Sequence, residues 1–356
     1  MRVAPRAVVI SAVCVIILQG DLGGGLQARR PEGEQMSSTR RVIDTESQSG
    51  GPGRVRIGTW FLAALAIGIA LTWVNPTPSA GVYDTGGGGG GVVGDGYWML
   101  SASGKVYNFG AAGDFGDFAD NVGGSIPSPA VDLAAVPDGS GYYILDTAGR
   151  VYAFGSAVAR GSAVGRLDVG ETAAAISVTP TGIGYWVFSD RGRVIPFGDA
   201  RHLGDLVGLD LAGPIVSSVA TASGNGYYML GSDGGVFGFG DAEFRGSIPQ
   251  VLPGVTLDCE VVGLVPTPTN RGYWLVGCDG GVFAFGDAGF VGSIPAVLPG
   301  VTLDQPINGM VAYGNGYLMT AWDGGVFNFA TDKDFLGSLG GTKLDSPIVG
   351  VVPLPS

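Results

Sequence analysis

The sequence is poor in the side chains that build most catalytic and metal sites. Its 356 residues include one histidine, His202, and three cysteines. A lone histidine excludes a zinc site built on a histidine cluster. No cysteine shares a repeat with a neighbouring histidine, and the Gly-x-Ser-x-Gly sequence of many serine hydrolases is absent. The usual pairs of nucleophile and base are therefore lacking, and an enzyme is not the favoured interpretation.

Charged residues are also scarce, and they are unevenly distributed. They make up 14% of the chain, against about 25% in typical domains. Residues 1–74 contain eight arginines and five acidic residues, whereas the rest contains eleven basic and twenty-six acidic residues. Such an acidic region repels phosphate backbones, so nucleic acid is excluded as a partner. Cations, sugars and proteins stay open as ligands.

Glycine, by contrast, is abundant, with 66 residues. The glycines follow no Gly-X-Y period, and aromatic residues recur at regular places between them. Collagen and disorder therefore both fit poorly. This composition is typical of a chain rich in strands and turns.

Two apolar runs precede a glycine-rich linker at residues 75–95. The first, residues 7–18, is 12 residues long and matches a signal-peptide core. The second, residues 57–74, has 18 uncharged residues and is long enough to span a bilayer. Six arginines lie between the runs, so the positive-inside rule puts residues 1–56 in the cytoplasm and the rest outside. Translation from Met36 would instead make the second run a cleavable signal, which leaves a membrane-anchored and a secreted protein as alternatives.

From residue 96 to 356 the chain consists of six copies of one unit. Each copy begins with Gly-Tyr, and successive starts are 42 to 46 residues apart, a period typical of propeller blades or helical repeats. A copy contains four short β-type runs and no amphipathic stretch of helical length. The sequence therefore predicts an all-β, six-bladed β-propeller with four-stranded blades. The spare C-terminal run Pro347–Pro353 is expected to pair with the first copy and close the ring. The six copies start at Gly96, Gly141, Gly184, Gly226, Gly272 and Gly316.

The motifs GYWLV at 272–276, DGGVFAFGDA at 279–288 and FVGS at 290–293 resemble a repeat found in secreted and surface proteins of actinobacteria. The resemblance covers residues 96–356, and its motifs are specific when several copies occur together. It implies an extracytoplasmic, propeller-like array that is sometimes joined to cell-wall hydrolase domains. It implies no settled ligand and no catalytic residues.

The Asp-Gly-Gly sequences at Asp233, Asp279 and Asp323 are candidates for a metal or phosphate loop. All six copies keep the middle glycine, but the other three copies have serine, alanine or arginine in place of the aspartate. Such replacements are harmless to a glycine turn and remove a ligand from a calcium site. We therefore predict turns, with the three aspartates as weak metal candidates and no cofactor. A second turn is predicted at Asp199, Asp241 and Asp287.

Cys259 and Cys278 flank a predicted hairpin whose turn lies near Thr269. Counting outward from that turn places the two cysteines opposite each other across the hairpin. A cross-strand disulfide is therefore predicted for an oxidising compartment. Two buried free thiols are the alternative.

Strand alternation places the longest loops on the same face as the Asp-Gly-Gly turns. Residues 249–258 and 295–304 both end in LPGVTLD, and we expect ligand contacts near Asp258 and Asp304. The favoured interpretation is an extracytoplasmic, monomeric module that binds or scaffolds a partner. The partner is a protein or a cell-wall glycan. Residues 57–74 attach the chain to the membrane if they are not cleaved. The alternatives are a polysaccharide hydrolase or lyase, with carboxylates at the channel mouth, and a purely structural envelope protein.

Overall fold

The computed structural model describes residues 95–118, 120 and 124–355, together with the backbone of residues 17–18. The apolar run at residues 57–74 and the glycines of the linker lie outside this part, as does Met36. In the described part of the chain, no helix is long and apolar enough to cross a membrane.

β-Strands dominate the described residues, because runs rich in Val, Tyr, Phe and Trp alternate with glycine turns. Two four-residue helices, α1 at Ile248–Val251 and α2 at Ile294–Val297, each follow a serine in extended conformation and have proline in the first turn. The strands are β1 Ile17–Leu18, β2 Gly96–Ser101, β3 Val106–Gly110, β4 Ala130–Ala135, β5 Gly141–Asp146, β6 Val151–Gly155, β7 Ala173–Val178, β8 Tyr185–Ser189, β9 Val194–Phe197, β10 Ile215–Ala220, β11 Gly226–Gly231, β12 Val236–Gly240, β13 Val261–Pro266, β14 Gly272–Gly277, β15 Val282–Gly286, β16 Ile307–Tyr313, β17 Gly316–Ala321, β18 Val326–Asn328 and β19 Ile348–Pro353.

The repeat strands form six antiparallel sheets, each with an inner, a middle and an outer strand. In repeat order, sheets 1 to 6 are β19-β2-β3, β4-β5-β6, β7-β8-β9, β10-β11-β12, β13-β14-β15 and β16-β17-β18. The short strand β1 adds to sheet 5 in parallel with β15, with Ile17 opposite Ala284. Every inner strand has a register shift near its start, so two of its residues face one on the middle strand, as in a β-bulge.

The prediction of four-stranded blades is wrong, because the apolar run that follows each outer strand, and that would be the fourth strand of the blade, does not pair as a strand in the described residues. In copy five this run is Phe290–Ile294. Gly292 has a φ of +140°, outside the strand region, and its carbonyl accepts a hydrogen bond from Tyr317 of the next sheet. The N–H of Ile294 donates to the carbonyl of Gly280 in the turn of its own sheet. The run therefore uses its backbone groups elsewhere and cannot extend the sheet.

The inner strands lie around a common centre. They contact one another in the order β4, β7, β10, β13, β16, β19 and back to β4. The C-terminal strand β19 pairs with β2, from Ile348 opposite Ser101 to Pro353 opposite Tyr97. Antiparallel sheets packed side by side around a centre are the architecture of a β-propeller.

Side chains on both faces of a sheet pack against neighbouring sheets. In β15, Phe283 and Phe285 pack with residues of sheet 4, whereas Val282 and Ala284 pack with residues of sheet 6. This confirms the interpretation of the apolar runs as strands buried on both faces. Burying one large apolar side chain contributes about 1.5 to 3 kcal/mol, so the interfaces between sheets provide much of the driving force for folding.

A tyrosine in each middle strand links its sheet to the preceding one, and we call this contact the tyrosine latch. Its hydroxyl donates to the carbonyl of a glycine in the fourth run of the preceding copy, as Tyr185 does to Gly161 at 2.7 Å. Tyr97 of sheet 1 makes the same contact at 2.5 Å with Gly337 of the last copy. The latches join Tyr97, Tyr142, Tyr185, Tyr227, Tyr273 and Tyr317 to Gly337, Gly116, Gly161, Gly204, Gly246 and Gly292 respectively.

The two faces of the array of sheets are distinct. The turns between middle and outer strands, the helices and the connections to the next inner strand share one face, which we call the turn face. There the N–H of Ile307, which begins β16, donates to the carbonyl of Cys278 beside the turn of sheet 5 at 2.8 Å. The connections between inner and middle strands lie on the opposite face, the clamp face. There the N–H of Asp287, after β15, donates to the carbonyl of Arg271, before β14, at 3.2 Å.

Candidate functional site

The Asp-Gly-Gly sequences form tight turns in which the aspartate binds its own backbone. Oδ1 of Asp279 accepts the N–H of Gly281 at 2.8 Å, and Gly280 between them has a φ of +77°. A Cβ at Gly280 would also lie 2.6 Å from the first side chain of α2. Asp233 and Asp323 make the same contact in two other sheets. In the part of the chain that the structure describes, no three His, Cys, Asp or Glu side chains converge as metal ligands would.

Cys259 and Cys278 form a disulfide, with their Cα atoms 5.5 Å apart. Cys259 ends the loop between α1 and β13, and Cys278 follows β14 directly before the turn of sheet 5. The N–H of Cys278 also donates to the carbonyl of Glu260 at 2.9 Å. The long loop is thereby fixed to the turn face. In sheet 6, Trp322 occupies the position of Cys278, and 39% of its surface is exposed.

The two LPGVTLD loops have the same construction. In the first, Leu252 and Leu257 pack against the core between sheets 4 and 5, while Val255 is 45% exposed. Asp258 and Asp304, at the ends of the two loops, are both exposed. The leucines therefore anchor each loop, and its valine and carboxylate face solvent.

Two of the three arginines in the turns of sheets 2 and 3 are paired with acidic neighbours, while the third, Arg191, donates to the carbonyl of Val169 at 3.3 Å. Arg150 lies 3.4 Å from the buried carboxylate of Asp146. Arg193 lies 3.0 Å from Glu171 and 2.5 Å from Asp168. Burial opposes ionisation of Glu171, but hydrogen bonds, chiefly from Arg193, hold the pKa of this carboxyl below its ordinary value. Arg150 and Arg193 therefore carry little unbalanced charge.

On the turn face of sheets 4 to 6, which we call the acidic sector, the carboxylates are not balanced by basic side chains. None of its carboxylates takes part in an ion pair within the described residues. One basic residue, Lys343, occurs in its loops. The acidic sector contains Asp233, Asp258, Glu260, Asp279, Asp304, Asp323 and Asp345.

A central cavity of about 640 Å³ runs between the inner strands of all six sheets. Most of its wall is aliphatic or backbone, with Val131 and Val262 as typical lining residues, and Pro137 and Pro180 line its clamp-face end. Among the described lining residues, Asp132 is the one ionisable side chain.

The carboxylate of Asp132 joins two inner strands. Its Oδ1 accepts the N–H of Leu133 on β4, and its Oδ2 accepts the N–H of Ile176 on β7, both at 2.8 Å. Burial among the strands raises the pKa of Asp132 to about 7, although these two hydrogen bonds act in the opposite direction. Glycoside hydrolysis depends on a pair of carboxyl groups, and the described lining of this cavity supplies one.

Three hydroxyl–carboxylate clamps on the clamp face complete the turns that the sequence predicted at Asp199, Asp241 and Asp287. In sheet 5 the hydroxyls of Thr267 and Thr269 donate to the two oxygens of Asp287 at 2.8 and 2.5 Å. In sheet 3 a hydrogen bond from the hydroxyl of Thr181 lowers the pKa of Asp199. The hydroxyl partners were not predicted, although Thr-x-Ser/Thr five and three residues before Gly-Tyr is a readable signal. The clamps are Thr179, Thr181 and Asp199; Thr221, Ser223 and Asp241; and Thr267, Thr269 and Asp287.

No family model matches the chain, and no curated protein matches it. Among solved structures, the crystal structure of a nidogen/laminin complex is similar with a TM-score of 0.48 and 13% identity, over 73% of this chain and 98% of that chain. The Swd1 β-propeller domain of Myceliophteria thermophila has a TM-score of 0.43 and 9% identity, over 63% and 76% of the two chains. A protein of unknown function from Bacteroides thetaiotaomicron has a TM-score of 0.38 and 14% identity, over 55% and 57%. The assignment of this chain to the β-propeller architecture rests on its own strand pairing rather than on these similarities.

Proposed function

We propose that the chain is a closed six-bladed β-propeller that binds a protein partner outside the cytoplasm, with the acidic sector of the turn face as the contact surface. The observation that carries the proposal is the uneven pairing of charge on that face. Arg150 and Arg193 in the turns of sheets 2 and 3 have acidic partners, whereas the carboxylates of the acidic sector have no ion-pair partner in the described residues. An unbalanced acidic surface attracts a basic one and speeds their encounter.

Exposed apolar side chains on the same face favour a protein as the partner. Val255 and Val301 are 45% and 57% exposed, and Trp322 is 39% exposed. Binding energy in protein interfaces is concentrated in such anchors, above all tryptophan, surrounded by polar groups. Because the disulfide and the packed leucines hold the first loop in place, binding would cost little loop entropy. Charge complementarity favours a basic protein surface over an uncharged glycan.

The proposed location is extracytoplasmic, with the chain either anchored through residues 57–74 or released by cleavage. The arginines before this run support that orientation. The disulfide agrees with it, since disulfides persist in oxidising compartments. The resemblance to actinobacterial surface repeats points the same way. The latch between Tyr97 and Gly337 supports a closed ring, and we propose that the ring is monomeric.

The test compares capture of envelope proteins by full-length tagged protein with capture by the Asp258→Asn/Asp304→Asn variant. We expect crosslinking to yield a basic protein with the wild type, and the double variant to capture several-fold less, because each exposed charge contributes about 0.2 to 1 kcal/mol. Added salt should weaken capture by the wild type.

The matched control is Asp334→Asn, which removes an exposed carboxylate from the clamp-face end of sheet 6. We expect this variant to behave as wild type. Equal capture by the wild type and the double variant would contradict the proposed surface. The absence of any specific capture would instead favour a purely structural envelope role.

A further inference from the structure

We propose that the central cavity is a binding site for a small organic cation, an alkylammonium compound whose charged group pairs with Asp132. This inference concerns the centre of the ring and is independent of the proposed protein contact on the turn face. It depends on the shape of the cavity, on the way Asp132 is held, and on the lack of any cationic side chain in the cavity wall.

The cavity has the size and wall of a small-molecule site. Its volume of about 640 Å³ lies within the range of about 300 to 1,000 Å³ found for ligand pockets. Pro137, Pro180 and Pro355 line the clamp-face end, whereas Asp132 is near the start of β4, toward the turn face. A ligand entering between the prolines would pass Val178 and Val311, with Ser177 and Ser218 beside them, before its charged group reached the carboxylate.

Asp132 is an acidic residue at a position where the other five inner strands have a small residue. Its carboxylate oxygens accept N–H groups from two adjacent inner strands, both at 2.8 Å, so the side chain is fixed before any ligand arrives. A carboxylate has about four acceptor positions, and these two hydrogen bonds use two of them. At the equivalent position the other inner strands have Ala175, Ser217, Gly263, Gly309 and Gly350.

The negative charge of ionised Asp132 has no counter-charge in the cavity. Among the described lining residues no Lys, Arg or His is present, and no other side chain titrates. Burial accordingly raises the pKa of Asp132 to about 7. A carboxylate in such surroundings gains from an opposite charge far more than it would in water. An ammonium group supplies that charge together with hydrogen-bond donors.

The donor set indicates an organic cation rather than a metal ion. Calcium takes six to eight oxygen ligands and commonly more than one carboxylate, and this wall has one carboxylate. The aliphatic side chains suit a short alkyl body, whose burial contributes about 0.8 kcal/mol per methylene. A primary ammonium with an alkyl chain of a few carbons satisfies both parts of the wall.

The test measures binding of n-butylammonium to the full-length protein by isothermal titration calorimetry at pH 8 and pH 5, with n-butanol as the neutral analogue. We expect saturable binding of the cation at pH 8, no binding of the alcohol, and an affinity lower by tenfold or more at pH 5, where Asp132 is protonated. The Asp132→Asn variant should lose the binding at pH 8. The Ser217→Ala variant, altered at the equivalent place in sheet 4, should keep it.

Two results would overturn the proposal. One is the lack of saturable butylammonium binding by the wild type at pH 8. The other is an unchanged affinity in the folded Asp132→Asn variant, with near-ultraviolet circular dichroism as the measure of folding. If that variant does not fold, an equal wild-type affinity at pH 8 and pH 5 refutes the role of Asp132. Capture of the basic protein partner by Asp132→Asn reports separately on the turn-face proposal.

Discussion

The tyrosine latch between the last and the first copy offers the sharpest test of ring closure. In Tyr97→Phe, the only atom lost is the hydroxyl oxygen that donates to the carbonyl of Gly337 across the junction, in a buried position. Tyr185→Phe removes the same contact inside the array, where the hydroxyl donates to the carbonyl of Gly161. The two variants thus compare the junction with an internal interface, where Tyr185→Phe also removes the acceptor of the N–H of Arg160.

The expected loss of folding stability follows from the polar groups that each substitution leaves without a partner. Removing the hydroxyl of Tyr97 leaves a buried carbonyl unsatisfied, and such a loss costs about 1 to 3 kcal/mol. For a domain of this size 1 kcal/mol lowers Tm by about 2 to 4 °C. Tyr97→Phe should therefore lower Tm by about 2 to 12 °C, and Tyr185→Phe should lower it by a similar amount.

Thermal unfolding followed by calorimetry and near-ultraviolet circular dichroism measures these shifts. Tyr107→Phe is the control, since Tyr107 is a half-buried residue of β3 whose ring lies beneath Lys105, and we expect its unfolding free energy to stay within about 0.5 kcal/mol of wild type. If Tyr97→Phe is as stable as the wild type while Tyr185→Phe is destabilised, the first and last copies are not joined and the closed ring is refuted.

Three further predictions concern other parts of the ring. Because burial raises the pKa of Asp132 from near 3.8 to about 7, the folded state binds more protons than the unfolded state between these pH values. The free energy of unfolding of the wild type should therefore fall by about 1 to 4 kcal/mol between pH 4 and pH 7, relative to that of Asp132→Asn. Free energies of unfolding in urea that change equally with pH for the two proteins would contradict this prediction. The free energy of unfolding of the Cys259→Ser/Cys278→Ser variant should be about 3 kcal/mol lower than that of the wild type, because the disulfide closes a loop with a sequence separation of 19. Equal urea-denaturation midpoints of the variant and the wild type under oxidising conditions would argue against a stabilising cross-link. Thr267→Val should lower the free energy of unfolding by about 1 to 3 kcal/mol, because it breaks a clamp. Thr256→Val, on an exposed loop, should leave the free energy of unfolding nearly unchanged. Equal effects of the two substitutions in urea denaturation would contradict a stabilising role of the clamp.

The repeat made much of the architecture predictable from sequence. Six copies of about 44 residues indicated six sheets, and the apolar alternation of residues 282–285 indicated burial on both faces. The glycine kept in all copies, as at Gly280, indicated the turns. These features depend on local spacing and backbone preference, which one sequence displays when it repeats itself six times.

Prediction from the sequence fails where a segment makes its contacts with another sheet. The run Phe290–Ile294 has the composition of a strand, but Tyr317 of the next sheet takes the carbonyl of Gly292. Asp132 likewise resembles a surface residue in the sequence, and its partner Ile176 is 44 residues away. Pairings between copies depend on how the sheets pack against one another, which no local pattern contains.

The three-stranded sheets leave outer strands whose unpaired edges could recruit other extended chains. Several features limit such strand addition. Pro196 in β9 lacks an N–H group, and β18 is only three residues long. The side-chain amides of Asn108 and Asn328 hydrogen-bond to the nearby carbonyls of residues 112 and 333 instead of a foreign strand. At β15, where alanine occupies the corresponding position, strand β1 of the same chain pairs with the edge. In this repeat, latches between sheets take the place of a fourth strand, and residues of the outer strands limit self-association at some edges, such as those of β9 and β18.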